Sequence, residues 1–94
     1  MDKTKWKKRP QLLDREIDGE TVLLDLKSGV YYSLNEVGTE IWRLLGDSAT
    51  ESELAAAVVS DYDIAADEAA RDINELINDL SAEGLVVKEP DPAL

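Results

Sequence analysis

The stretch TVLLDLKSGVYYSLNEVG, residues 21–38, decides the fold, because the period of its hydrophobic pattern changes inside it. Over residues 21–26, Val22, Leu24 and Leu26 alternate with Thr21, Leu23 and Asp25, the period of a strand. Lys27, Ser28 and Gly29 read as a tight turn. Residues 30–34 then make a second strand of β-branched and aromatic side chains with no charge and no proline. At Asn35 the period becomes helical. Asn35 is a suitable N-cap, and Glu36 falls in the first turn, where the helix dipole favours a carboxylate. Val37, Ile41, Leu44 and Leu45 form an apolar stripe, and Gly46 is a fitting stop.

Working outward, residues 12–17 read as a strand, joined to the next by the hairpin signal Asp18–Gly19. Two close turns in succession require an antiparallel meander, because parallel strands need a long crossover. On the C-terminal side, Thr50-x-x-Glu53 is a capping box opening a second helix. Its inner face is Leu54, Ala57 and Val58, and it ends near Tyr62. A longer third helix runs from about Asp67 to Glu83, with a core stripe of Ala69, Ile73, Leu76, Ile77 and Leu80. Gly84 suits a left-handed cap, and Leu85 is placed to touch Leu80 as in a Schellman motif. Residues 85–88 then offer a last short strand. The expected fold class is α+β, winged-helix-like, with a three-stranded antiparallel sheet packed on a three-helix bundle. Residues 11–88 form the domain. Residues 1–10 are expected to be a basic flexible tail and residues 89–94 a flexible C-terminal tail.

Composition narrows the chemistry. The 94 residues include no cysteine and no histidine. That removes disulfides, thiolate metal sites, cysteine nucleophiles and the commonest general base. Serines have no histidine to activate them, no glycine loop cradles phosphate, and Asp61 and Asp63 lack the rest of a calcium loop. The carboxylates fall on helix exteriors and in turns rather than in a pocket. The expectation is therefore no catalytic residue, no metal and no cofactor. No apolar run approaches the length of a membrane span. A cytoplasmic protein without membrane contact is expected.

Charge excludes a further class. The formal net charge is −11, from 21 acidic and 10 basic residues. Lys3, Lys5, Lys7, Lys8 and Arg9 hold half of the positive charge, leaving a net of −15 for residues 10–94. A winged-helix order invites a DNA-binding reading with the last helix as recognition helix. Its outward positions Asp67, Glu68, Asp72, Glu75, Asp79 and Glu83 set only Arg71 against six carboxylates. A phosphate-reading surface needs the opposite sign, so no nucleic-acid partner is expected.

One feature remains to be explained. A three-stranded meander leaves its third strand unpaired on one side unless something covers it. Val30, Tyr31, Tyr32 and Ser33 lack the charges and prolines that usually block such an edge. An edge of this kind accepts an extended peptide, whose main chain supplies affinity and whose alternate side chains supply selectivity. Masking of the edge by the N-terminal tail is the competing expectation.

At this segment the sequence resembles the PqqD-like family of precursor-peptide recognition elements. Leu24–Asp25, Gly29 through Asn35, and Gly38-x-x-Ile41–Trp42-x-Leu44–Leu45 carry the resemblance. Tyr62-x-Ile64, Asp72–Ile73-x-x-Leu76-x-x-x-Leu80 and Gly84–Leu85–Val86 extend it, over residues 12–88 in all. The aromatic pair before Leu-Asn and the Ile-Trp of the first helix are most similar to stand-alone recognition proteins of lasso-peptide clusters. The resemblance implies that a precursor leader peptide adds as a strand beside the third strand and packs against the third helix. It also implies two further partners, a cysteine-protease-like leader peptidase and an asparagine-synthetase-like cyclase. Mapped by helical spacing, the peptide-binding residues are Val30, Tyr31, Tyr32 and Ser33 on the strand, with Leu34 behind them. On the helix they are Ala70, Asn74 and Ile77, with Asp67 and Arg71 at the groove mouth. The chain departs from its relatives at Ala65–Ala66, where an Asp-Pro pair often opens the last helix. Two other readings compete: leader binding for a different maturase, of the radical-SAM or pyrroloquinoline quinone pathways, and an acidic winged-helix regulatory or interaction module.

Overall fold

The structure, a computed structural model, describes residues 3–89. Its first sheet is the expected meander: β2 (Leu12–Ile17), β3 (Glu20–Asp25) and β4 (Tyr31–Leu34), with β3 central and both pairings antiparallel. Asp18 and Gly19 turn β2 into β3 with φ of 52° and 81°, the left-handed pair that a two-residue hairpin demands. Asp25 organises the next turn. Its Oδ1 accepts the Lys27 N–H at 2.9 Å and the Ser28 N–H at 3.4 Å, while Gly29 supplies φ of 75°.

Three helices follow: α1 (Glu36–Leu45), α2 (Glu51–Asp61) and α3 (Ala66–Ala82). Asn35 caps α1 by accepting the Gly38 N–H at 2.8 Å. Thr50 and Glu53 form the reciprocal capping box of α2, at 3.1 and 2.9 Å. At Ala65 the start of α3 has no side-chain cap, as the missing Asp-Pro pair foretold. Its other end is a Schellman motif. Leu85 N–H donates to Leu80 O at 2.8 Å and Gly84 N–H to Ser81 O at 3.0 Å, with Gly84 at φ of 73°. The core joins Leu23 and Leu34 of the sheet to Ile41, Leu45, Leu54, Val58, Ile73, Ile77 and Leu80 of the helices. The α+β, winged-helix-like class is thus the class observed.

The N-terminal expectation requires correction. Residues 1–10 are not simply a tail, since Lys5–Lys8 form strand β1 at the centre of a second antiparallel sheet, between β5 (Ala49–Thr50) and β6 (Val86–Lys88). Trp6 explains it. Alternation turns its indole inward, where it is 8% exposed and part of the core. The cations around it are held within the chain. Lys8 Nζ lies 5.1 Å from the Trp42 ring centroid, and Lys88 Nζ 5.8 Å from that of Trp6. Arg9 donates to Gly84 O and pairs with Asp25 at 2.6 Å. Residues 1, 2 and 90–94 lie outside the described residues, and with them most of the expected C-terminal tail.

Alternation alone leaves the buried face of β3 open, and the structure buries Thr21, Leu23 and Asp25 while Val22 and Leu24 are half-buried. In α1, Trp42 is buried where Val37 was expected, and Val37 is 49% exposed. Both follow from polar pairing across the inner face of the first sheet. Trp42 Nε1 donates to Asp14 Oδ2 at 2.7 Å, Arg43 Nε to Glu16 Oε1 at 2.7 Å, and Thr21 Oγ1 to Thr39 Oγ1 at 2.8 Å. Polar side chains face inward because each meets a partner there.

Candidate peptide-binding edge and groove

Strand β4 pairs with β3 on one side and with nothing on the other among the described residues. The N-terminal segment does not mask it, being occupied between β5 and β6. Backbone parity identifies the open groups. Asp25 N–H donates to Val30 O at 3.0 Å, so the opposed pair Asp25–Val30 is hydrogen-bonded. Bonded and non-bonded pairs alternate along an antiparallel ladder. With Leu24 opposite Tyr31, Leu23 opposite Tyr32 and Val22 opposite Ser33, the main-chain groups of Tyr32 turn toward β3. Those of Tyr31 and Ser33 turn toward the open side. Val30 precedes the strand and is already engaged, because its N–H donates to Ser28 Oγ at 3.2 Å.

Side chains divide by the same parity. Tyr32 and Leu34 share the inner face with Leu23 and Thr21 and pack on the core. Tyr31 points to the outer face and is 69% exposed.

Just past the end of β4 lies a groove of about 340 Å³ between the start of α1 and α3. One bank is Asn35, Val37 and Gly38, and the other is Asp72, Glu75, Leu76 and Asp79. The floor includes Ile41, Val58, Ile64 and Ile73. Gly38 makes the near bank tight, because a Cβ there would meet Leu34 Cβ at 3.2 Å. No lysine or arginine lines the groove.

The helix residues expected at the site are not gathered here. Ala70 and Asn74 line a different cleft, of about 590 Å³, between α2 and α3, where Asn74 Nδ2 donates to Glu51 Oε1 at 2.9 Å. Ile77 is 0% exposed and belongs to the core. Asp67 and Arg71 are solvent-exposed and line neither cleft. The cause is geometric. Positions 70 and 74 flank the 69–73–77–80 core stripe on one side, positions 72, 76 and 79 on the other. Helical spacing treats the two flanks alike. Spacing alone therefore does not single out Val37, Ile64 or the carboxylates of 72, 75 and 79, and Leu76, at the margin of the core stripe and only partly buried, is the one signal for that flank.

A further surface adjoins the edge. The outer face of the first sheet carries Leu13, Ile17, Val22, Leu24 and Tyr31 around a shallow hollow of about 400 Å³, with Arg15 among them. Leu13 and Ile17 are more than half exposed. An apolar face of this kind on a sheet is a candidate contact surface. Among the described residues, no group of three or more acidic side chains is arranged to hold a metal ion. No helix there is long and apolar enough to cross a membrane.

Comparison with known proteins agrees with this geometry. Residues 20–86 match the family described as coenzyme PQQ synthesis protein D (PqqD). Among solved structures, the chain is similar to one titled "TbiB1 in Complex with the TbiA(beta) Leader Peptide". The two are 30% identical with a TM-score of 0.80, over 90% of this chain and 99% of that one. It is also similar to "Lasso peptide synthetase B1 complexed with the leader peptide". There the identity is 30% and the TM-score 0.76, over 87% of this chain and 96% of that one. None of the curated proteins compared with the chain matches it.

Proposed function

Because the chain belongs to the PqqD family, as a PqqD-like precursor-peptide recognition element, we propose that it is a non-catalytic adaptor for a leader peptide. It binds the leader of a ribosomally made precursor by strand addition and presents it to the leader peptidase and the cyclase of lasso-peptide biosynthesis. The observation that carries this reading is the unpaired side of β4, with Tyr31 and Ser33 offering main-chain groups beside an apolar groove. An added strand satisfies both residues, and its inward side chains reach Val37, Ile64 and Leu76. The site proposed from the sequence thus keeps Tyr31, Tyr32 and Ser33 but moves to the opposite flank of α3. Of the other expected residues, Val30 bonds to Ser28, Ile77 lies in the core, Ala70 and Asn74 line the cleft between α2 and α3, and Asp67 and Arg71 line neither cleft.

Presentation is supported by the outer face. A leader strand beside β4 widens the sheet and places its alternate side chains next to Tyr31, on the same face as Leu24. A processing enzyme that docks on this apolar face then touches the sheet and the leader together, and distinguishes the loaded adaptor from the empty one. The non-catalytic reading rests on chemistry, since the sequence has no histidine or cysteine and the carboxylates that line the groove, Asp72, Glu75 and Asp79, are solvent-exposed.

The test is calorimetric titration of the chain with the leader of the precursor encoded beside it, followed by leader cleavage assays. Saturable binding is expected, with cleavage by the neighbouring peptidase accelerated by the chain and absent with the chain alone. Lack of binding, or leader cleavage by the purified chain itself, removes the proposal. The PqqD match supports a second reading, in which the same edge serves a radical-SAM maturase. Cleavage assays separate the two readings, because a maturase partner gains nothing from peptidase.

A further inference from the structure

Resting on the leader-binding reading, we infer that the groove beyond β4 selects leader segments that carry lysine or arginine on the side chains turned toward α3. The groove has an apolar floor and carboxylates along its α3 bank, with more around the hollow that adjoins its other bank. Asp72, Glu75 and Asp79 stand on α3, and Glu36 with Asp18 and Glu20 surround the adjoining hollow, which shares Asn35 and Val37 with the groove. None of these six forms an ion pair among the described residues, where the three ion pairs involve Asp25, Glu16 and Glu40. Of the basic side chains, Lys8, Arg9 and Lys88 are held at Trp42, Asp25 and Trp6.

Folding does not account for the row on α3. Asp72 to Glu75 is an i,i+3 pair and Glu75 to Asp79 an i,i+4 pair, spacings at which like charges destabilise a helix. The three are nevertheless grouped on one flank, and that flank lines the groove beyond the end of β4. A cationic side chain entering from β4 relieves their repulsion and sets its aliphatic stem on the apolar floor. A carboxylate entering there meets like charge from the α3 bank. The row extends about 10 Å along α3, long enough to face two alternate side chains of an extended peptide, which repeat every ~6.7 Å. The expected inward pattern is one apolar residue with a basic residue two positions away.

A phage-displayed random 12-residue library, panned on the full chain, reads this preference without knowledge of the leader. Enriched peptides are expected to show basic residues at alternate positions around an apolar one. Three variants control the result. Tyr31→Pro tests dependence on the strand edge, Asp72→Asn/Asp79→Asn tests the rim, and Asp47→Asn/Glu83→Gln makes the same charge change elsewhere. A selected peptide, synthesised with a fluorophore, is expected to lose about fivefold in affinity on Asp72→Asn/Asp79→Asn at 50 mM salt, in keeping with two exposed ion pairs. It should lose less than twofold on the distant pair, and the rim effect should fade at 0.5 M salt. Enrichment of neutral or acidic peptides, or equal losses for the two double variants, overturns the charge preference while leaving strand addition standing. Failure to enrich any peptide, or enrichment unaffected by Tyr31→Pro, overturns the leader-binding reading together with it.

Discussion

Asp25 shows how much of this fold hangs on single side chains. One carboxylate closes the turn between β3 and β4 through the Lys27 and Ser28 N–H groups and also anchors Arg9, which ties β1 to the first sheet. The Lys27 N–H is the main cause holding its pKa below the usual carboxylate range, against the opposing effect of burial, with Ser28 and Arg9 adding to it. A depressed folded-state pKa means stabilisation that is present above the unfolded-state value, about 3.9, and lost as pH falls through the folded value. Asp25→Asn is therefore expected to melt at lower temperature than the natural chain at pH 7, and the gap should narrow as pH drops from about 4 toward 2. Thermal melts across that range are the check, and a gap independent of pH shows that the charge is immaterial. At this scale the sequence was partly legible. Asn35, Thr50, Glu53 and Gly84 announce their capping roles because a cap depends on a few neighbouring residues. Trp6 and Asp14 gave no warning, because their partners lie far along the chain.

At the scale of elements, the decisive object is β4. Its parity gives the two tyrosines different roles. Tyr31→Pro removes an N–H that faces the open side, at the first residue of the strand, where proline is tolerated. It is expected to leave the melting curve near that of Tyr31→Ala while weakening leader binding by about 1–3 kcal/mol beyond it. Tyr32→Pro removes an N–H that faces β3, and should lower stability by roughly 3 kcal/mol or more relative to Tyr32→Ala. Circular dichroism melts and calorimetric titration give both readouts. Equal behaviour of the two prolines would mean that the leader does not pair along this strand. The strands of the first sheet, the three helices and the open edge were readable from period and turn chemistry, whereas β1 and β5 were not. Which face of a strand or flank of a helix is used was not. In β3 the alternation is apolar on one face and mixed on the other, and the mixed face is the buried one because Thr21 and Asp25 meet partners there. In α3 the two flanks of the core stripe are equivalent until the sheet is placed beside one of them.

The whole molecule joins two small sheets through one set of helices, and the second sheet depends on a segment whose composition suggests solvent. Five of the first nine residues are basic, yet β1 is the strand that β5 and β6 share. Without it β5, two residues long, and β6, three residues long, have no partner among the described residues. Deletion of residues 1–8 is consequently expected to act on the entire domain. Loss of the Trp6 side chain alone is worth about 3–5 kcal/mol by comparison with large aromatic-to-alanine changes in cores. The domain as a whole is expected to hold on the order of 5–14 kcal/mol at its size. The truncated chain should then be largely unfolded near 37 °C, with a melting transition that is broad or absent. Leader binding should fall with it, although the deletion touches neither β4 nor the groove, because Trp42 and Ile41 share the core that Trp6 completes. Trp6→Ala in the full-length chain separates the contributions: a partial loss of stability with leader affinity retained at low temperature is expected, since the ladder of β1 survives. Should the truncated chain melt like the intact one, β1 is dispensable and the basic segment is the solvated tail that its composition suggests.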